Sequence, residues 1–341
     1  MSGASGTAPR RRRRRLPISR ELEGEAFVYR LRGRKITRRA EIARIEALAI
    51  PPAWTEVEIA KSPTAKVLAR GVDAAGRTQA IYHPSFRKRQ DRIKFARLER
   101  FGRALPRIRA RVDRDLRRRL LGPDRVTACV VRLIDLQFFR VGNVQYAKRH
   151  RSFGITTLRR EHVTVSSGGV TFDFTGKSGK RHRRRVSDER VARLLARVQE
   201  ELPGPELFRF IDEDGVAHPL RSGHVNGYVR RHMGEEFTAK DFRTWGGTVV
   251  AANALLDLEP GQLRTKTARS RAVRGALEAA AERLGNTVAV TKASYVDPRV
   301  LAAAERPRVL RRVRESRERM RPRRHFDVAE QATLALLAEM S

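Results

Sequence analysis

The spacing of apolar residues changes period several times along the chain, and each change marks an element. Beyond Thr37, the positions Ile42, Ile45, Leu48 and Ala49 fall at helical spacing, and Pro51-Pro52 ends that helix. Val57 and Ile59 then alternate with polar residues, and the runs 67–72 and 79–83 flank the turn Asp73-Ala74-Ala75-Gly76-Arg77, which predicts a hairpin. This β-rich stretch ends near His83-Pro84-Ser85-Phe86-Arg87-Lys88, a basic connector containing proline. Leu98, Phe101, Leu105, Ile108, Val112 and Leu116 next step by three and four, with Pro106 expected to divide the run into two helices, and 124–139 predicts another helix. A short β island follows: 162–165, 170–174 and 183–186, joined by Ser167-Gly168-Gly169 and Gly176-Lys177-Ser178-Gly179. After Asp188 the pattern is helical to the end. Thr238 and Asp241 form a capping-box pair, which puts Lys240 and Arg243 in the first turns of one helix, with Arg243 reaching out beside its N-terminal amides. The expected class is α+β: a disordered basic tail (1–17), a small β-rich N-terminal domain (18–88) and a larger, mainly α-helical domain (89–341) that carries a short β-hairpin island. No internal repeat is visible at a period of about 20 to 50 residues.

Composition adds a partner. The 341 residues carry a net charge of +36, distributed from Arg10 to Arg324, while 40% hydrophobic content is enough for a core in each of two domains. Nucleic acid is the polyanion that fits, because every phosphate neutralised releases condensed counterions. No run approaches the roughly 18 apolar residues of a spanning helix, and no apolar signal core follows the arginines at 10–15, so a soluble protein away from membranes is expected. The single cysteine, Cys129, lies in the apolar run 126–136 and reads as a core residue in a reducing cytoplasm. The eight histidines show no metal-ligand spacing and no GxxxxGK[ST] loop appears, so the expectation is chemistry without metal, ATP or a small-molecule cofactor. That expectation sets aside most nucleases, polymerases and helicases.

One stretch invites a chemical reading. From Leu284-Gly285-Asn286 to Ser294-Tyr295, a turn broken by glycine delivers one tyrosine into arginine-rich sequence. A phenol with an ordinary pKa near 10 needs positive charge or a proton acceptor close by before it attacks anything. Taken singly, the other candidates have plain alternatives: Arg140 as one surface cation among many, Lys177 as a solvated hairpin tip, Arg243 as the partner of an acid on its own helix, Asn286 as a helix C-terminal residue and Tyr295 as a half-buried structural tyrosine.

Taken together they resemble the type IB DNA topoisomerases, in particular the compact bacterial and poxvirus branch. The resemblance spans about residues 30 to 300. It rests on the ordered segments Phe139-Arg140-Val141-Gly142-Asn143-Val144-Gln145-Tyr146, Thr175-Gly176-Lys177-Ser178-Gly179, Lys240-Asp241-Phe242-Arg243-Thr244-Trp245-Gly246 and Leu284-Gly285-Asn286, with Ser294-Tyr295-Val296-Asp297-Pro298. Pro51-Pro52-Ala53-Trp54-Thr55, Tyr82-His83-Pro84 and 152–159 add to it. The resemblance implies a clamp around duplex DNA, relaxation of supercoils without ATP, and a 3′-phosphotyrosyl intermediate on Tyr295. It further implies Arg140 and Arg243 on the nonbridging phosphate oxygens, Lys177 as the acid for the leaving 5′ oxygen, and Asn286 as a hydrogen-bond donor to the phosphate. Lys240 would contact DNA. A monomer acting at the nucleoid of a bacterial cytoplasm is the implied setting.

Two positions depart from the family pattern. Many relatives carry histidine at the position of Asn286, which leaves only neutral hydrogen bonding there. The family's Gln-Tyr-x-Tyr stretch appears as Gln79-Ala80-Ile81-Tyr82, one aromatic short, so Gln79 and Tyr82 read either as base and backbone contacts or as ordinary strand residues. A tyrosine recombinase shares much of this chemistry but usually carries His-x-x-Arg and Leu-Gly-His, where this chain has Lys240-Asp-Phe-Arg243 and Leu-Gly-Asn286. A non-enzymatic DNA-packaging protein would explain the charge and nothing else.

Overall fold

The computed structural model describes residues 15–74 and 76–341, apart from the side chain of Pro260. Most of the segment read as a basic tail, residues 1–14, lies outside them. The chain divides into two compact units between Lys94 and Phe95.

The first unit is built on an antiparallel sheet. Its strands are β1 (Ile18–Glu23), β2 (Ala26–Leu31), β3 (Arg34–Lys35), β4 (Thr55–Ile59), β5 (Val67–Val72) and β6 (Thr78–Tyr82), in the order β3-β2-β1-β4-β5-β6. The β5–β6 hairpin is the one expected around Asp73–Arg77. The β1–β2 hairpin had no clear sequence signal, because Arg20 interrupts the apolar face that begins at Ile18, and the outer end of that face, Leu22 and Phe27 opposite each other, stays 64% and 37% exposed. Leu16 and Pro17, counted with the tail, are already tied to the sheet, through Leu16 N to Glu58 Oε2 (3.1 Å) and Arg32 N to the Pro17 carbonyl (3.2 Å). Helix α1 (Arg39–Glu46) lays Ile45 into a core with Ile18, Tyr29, Ile36, Val57, Ile59 and Ala69. The basic connector is not a loop. It opens helix α2 (Pro84–Ala96), because proline at the first helical position lacks only an N–H that would have had no partner there.

In the second unit the expected break at Pro106 does not occur. Helix α3 (Leu98–Asp115) runs straight through it. The lost bond and ring clash cost about 3 kcal/mol, whereas α3 buries Leu98, Phe101, Leu105, Ile108 and Val112 at roughly 1.5–3 kcal/mol each. Packing wins. Helix α4 (Pro123–Gln137) carries the buried Cys129, and α5 (Val144–His150) follows. Strands β7 (Val163–Ser166), β8 (Gly169–Thr175) and β9 (Arg181–Val186) form the β island, in antiparallel order β7-β8-β9. Helix α6 (Glu189–Glu201) comes next. The reading of helix to the end is then corrected by a small hairpin, β10 (Arg209–Ile211) and β11 (Ala217–Pro219), too short to leave a period in the sequence.

The remaining helices are α7 (Ser222–Met233), α8 (Ala239–Leu256), α9 (Lys266–Leu284), α10 (Val288–Ser294), α11 (Pro298–Ala302), α12 (Pro307–Arg319) and α13 (Val328–Glu339). Helix α8 is the most enclosed, with 239, 241–248, 251, 252, 255 and 256 all buried. It is braced by a charged cluster. Arg109 of α3 donates to Asp135 of α4 (2.7 and 2.9 Å) and to Glu330 of α13 (2.7 and 2.8 Å), while Trp245 Nε1 of α8 donates to the same Glu330 (3.0 Å). Among the described residues no helix is long and apolar enough to cross a membrane.

Candidate active site

Helix α4 stops at Phe138, whose left-handed backbone (φ 53°) turns the chain so that Phe139 packs against Phe172 and Phe174 while Arg140 emerges beside them. The segment 140–142 is then held by Ile155 N to the Arg140 carbonyl and Thr156 N to the Val141 carbonyl, both 2.8 Å. Gly142 is required here: its φ is +98°, and a Cβ on the facing Gly154 would lie 2.5 Å from the Gly142 Cα.

Arg243 sits on the second turn of α8. The capping pair Thr238 and Asp241 forms as expected, with Thr238 N donating to the Asp241 carboxylate (2.8 Å). Arg243 does not reach out beside the helix amides, however. It is 3% exposed and points inward, donating to the carbonyls of Phe138 and Leu284 (3.0 Å for the latter) and to Asn286 Oδ1 (3.3 Å). Nor does it pair with Asp241, whose carboxylate is taken by Arg97 at 2.7 Å. Arg140 Nη2 donates to the same Asn286 Oδ1. Asn286 is delivered by a helix stop: Gly285 takes the left-handed position after α9 (φ 65°), and Asn286 N closes the turn onto the Ala281 carbonyl at 2.9 Å.

Two guanidinium groups thus converge on one carboxamide oxygen, and among the described residues no carboxylate stands within ion-pair distance of either. The electrostatic consequence is visible in both. Burial lowers the pKa of Arg140, and it lowers that of Arg243 to about 10, with Arg140 adding to the effect. Among the described residues, two buried donors, Arg243 Nε and Asn286 Nδ2, have no hydrogen-bond partner, and neither does Thr291 Oγ1 on α10. Buried donors of this kind, beside two guanidiniums, suit an anion.

Tyr295 caps the C-terminus of α10 through its backbone N and the Thr291 carbonyl (2.9 Å). Its ring lies with the Arg243 guanidinium carbon 5.0 Å and the Lys240 ammonium 6.0 Å from the centroid. Burial alone would raise the phenol pKa, but the field of Arg243, followed by Lys240 and Arg140, outweighs it and holds the pKa below the ordinary value. The sequence asked for positive charge near this hydroxyl, and it is there.

Lys177 occupies a one-turn 3₁₀ segment between β8 and β9, where Ser178 (φ 63°) and Gly179 (φ 72°) bend the chain and Gly176 N bonds the Lys180 carbonyl (2.8 Å). It is exposed, and it lines a narrow recess with Arg140, His182, Arg184, Arg243 and Arg283. A separate cavity of about 1130 Å³, between 118–125 and 211–215, contains none of these side chains. His182 was not singled out from the sequence, where it is hidden in Arg181-His182-Arg183-Arg184-Arg185. Only strand parity, which sets 182 and 186 on one face with buried Val186, hinted at it.

Gln79 and Tyr82 belong to the first unit, on β6. Three residues apart on a strand, they face opposite sides of the sheet. The Gln79 amide donates to Asp73 Oδ2 (2.8 Å), leaving its carbonyl as the open half, and the partly exposed Tyr82 ring stands 5.3 Å from that of Phe86.

Comparison with known proteins bears on all of this. Residues 83–317 match the family described as the catalytic core of eukaryotic DNA topoisomerase I, and residues 26–73 match the N-terminal domain of bacterial DNA topoisomerase IB. The chain is similar to DNA topoisomerase 1B of Acanthamoeba polyphaga mimivirus, with 33% identity over 290 residues that cover 82% of this chain and 84% of the viral one. It is also similar to DNA topoisomerase 1B of Vaccinia virus (strain Copenhagen), 24% identical over 59% of this chain and 62% of the relative. The similarity to DNA topoisomerase 1 of Candidozyma auris is 29% identity over 46% of this chain and 20% of that protein.

Proposed function

This chain belongs to the type IB DNA topoisomerases, enzymes that change DNA topology, and from that premise we propose how its own residues carry the reaction. Tyr295 attacks a backbone phosphate of duplex DNA. Its phenol proton goes to solvent, the new bond joins Tyr295 Oη to phosphorus, the P–O5′ bond breaks, and the departing O5′ takes a proton from the Lys177 ammonium. The products are a 3′-phosphotyrosyl link and a 5′ hydroxyl. Rotation of the free strand about the intact one releases supercoils, and the 5′ hydroxyl reverses the attack. The ester retains the energy of the cut bond, so the cycle runs without ATP.

The observation that carries this reading is the shared oxygen of Asn286. By accepting from both arginines it sets them as a pair of forks beside the Tyr295 ring, leaving Arg243 Nε and Asn286 Nδ2 as donors for the nonbridging oxygens on which charge accumulates. Lys240, 6.0 Å from the ring centroid, adds charge beside the phenol and meets an adjacent phosphate. On DNA the β-rich unit and the helical unit act as a monomeric clamp, with Gln79 and Tyr82 of the first unit on the duplex. Their opposite faces favour one groove contact and one backbone contact over a joint base readout. The bacterial type of the matched N-terminal domain supports a bacterial nucleoid as the setting.

The test is trapping on a nicked suicide duplex whose 5′ product dissociates. Wild-type protein should accumulate a covalent DNA adduct resistant to denaturant, and Tyr295→Phe should form none while binding the duplex almost as tightly, since one hydroxyl counts for little beside many phosphate contacts. An adduct formed by the phenylalanine variant would identify another nucleophile.

A further inference from the structure

His182 lies opposite Phe174 in the β8–β9 register, and the two rings stack at 5.2 Å between centroids with 28° between their planes. Two glycines close on the imidazole. A Cβ on Gly176 would sit 2.6 Å from His182 Cδ2 and Nε2, and a Cβ on Gly285 would sit 2.8 Å from His182 Cε1. Real Cβ atoms do not come that near, so a side chain at either position would have to push the ring aside. Gly176 immediately precedes Lys177, and Gly285 immediately precedes Asn286. One ring therefore touches the backbone on which the lysine turn is hinged and the backbone that delivers the bridging carboxamide. These stretches lie far apart in sequence and come from different elements, a β-turn and a helix stop.

We propose that His182 is a positioning residue, a flat uncharged spacer that seats the Lys177 turn against the Asn286 turn and so sets the distance between leaving-group acid and phosphate clamp. The inference rests on the assignment of Lys177 as that acid. A spacer is needed because the lysine turn itself is held by little: it is exposed, the bond from Gly176 N to the Lys180 carbonyl closes it on itself, and the bond from Phe153 N to the Thr175 carbonyl (2.8 Å) anchors only its base, on the Arg140 side and not on the Asn286 side. The imidazole suits the place better than a cation would. Burial, and then Arg140, Arg184, Lys180 and Arg243, lower its pKa to about 4, so at neutral pH it adds no charge to a recess already crowded with arginine. Its aromatic breadth fills the gap between two Cβ-less backbones in a way an aliphatic chain would not.

The experiment is single-turnover cleavage of two suicide duplexes that differ in one atom: bridging 5′ oxygen, or bridging 5′ sulfur, which leaves as a stable thiolate without an acid. His182→Ala should slow the oxygen substrate by about 10²-fold, the scale of a misplaced catalytic group, and should cleave the sulfur substrate at nearly the wild-type rate. Lys177→Ala should show the same pattern. The double variant should be no slower than Lys177→Ala, because the two residues act through one proton transfer. His182→Phe should restore most of what His182→Ala loses. Equal slowing of His182→Ala on both substrates, with Lys177→Ala rescued by sulfur, would overturn the inference alone. Absence of rescue for Lys177→Ala would overturn the lysine assignment and with it this inference. If His182→Ala does not fold, Gly176→Ala, whose methyl displaces the ring from the other side, should give the same sulfur-rescued defect, and an unrescued one would count against the spacer.

Discussion

At the scale of single residues, the site is defined by which buried arginines have carboxylate partners and which do not. Arg109 is enclosed and paired with both Asp135 and Glu330, which push its pKa up despite burial. Arg140 and Arg243 are enclosed and share only the oxygen of a neutral amide. A buried charge without a counter-ion is a cost to the fold, and in the proposed mechanism that cost is relieved when a phosphate enters. Asn286→Asp tests this with effects of opposite sign. A carboxylate at the same place would pair with both guanidiniums and stand where the phosphate charge must come, so thermal unfolding should shift to higher temperature while single-turnover cleavage falls by at least about 10²-fold, the scale of one lost oxyanion donor. Wild-type cleavage by this variant would remove Asn286 from the mechanism. The five proposed catalytic residues could be nominated from the sequence because each sits in a short segment with its own local pattern. The sharing of one oxygen was not, because Arg140, Arg243 and Asn286 meet only through three separate chain reversals.

Elements carry the next part of the argument, and α8 carries most of it. Its Gly246-Gly247 pair looks like a weakness in a helix, at about 1 kcal/mol per glycine. The structure gives the reason: Gly246 abuts the Phe138 ring at the stop of α4, and a Cβ on Gly247 would lie 2.7 Å from the Tyr295 carbonyl oxygen and 2.9 Å from Leu284 Cδ1. Helix α8 thus touches the backbone beside Arg140, Asn286 and Tyr295 while presenting Lys240 and Arg243 itself. Gly247→Ala should displace the tyrosine and not the DNA-binding surface. The expected result is a loss of cleavage rate on the order of 10²-fold with duplex affinity unchanged, and a cost to stability of about 1–3 kcal/mol from overpacking. Loss of affinity in proportion to rate would mean that the helix as a whole had moved. Elements of strong period, such as α3, were readable in the sequence, although the helix overrode the proline because five large buried side chains outweigh one missing hydrogen bond. The brace from α13 was not readable: Arg109 and Glu330 are 221 residues apart, and each looks like an ordinary surface charge.

For the whole molecule the governing quantity is charge, and its effect on binding can be separated from its effect on chemistry. The net +36 includes arginines that are already spent inside the fold, Arg109, Arg299 and Arg111 among them, each bonded to carboxylates. The run of arginines at 10–15 precedes the first strand in sequence, and its one described member, Arg15, has a side chain 93% exposed that meets, among the described residues, only Glu58, at 3.9 Å. Exposed cations of this sort gain more from a phosphate than from so long a contact. Each phosphate neutralised on duplex DNA steepens the slope of log affinity against log salt by about 0.9, so removing six arginines that each neutralise one should make the slope shallower by about 5. Partial engagement would give a proportionally smaller change. In the proposed mechanism cleavage within the bound complex depends instead on Tyr295, its three neighbouring cations and Lys177, all far from the run in sequence. The full chain and a chain lacking 10–15 should therefore differ in salt slope and in affinity at physiological salt, yet cleave a suicide duplex at the same single-turnover rate once enzyme is saturating. A slower rate at saturation would show that the arginine run acts on the chemistry and does more than hold the duplex.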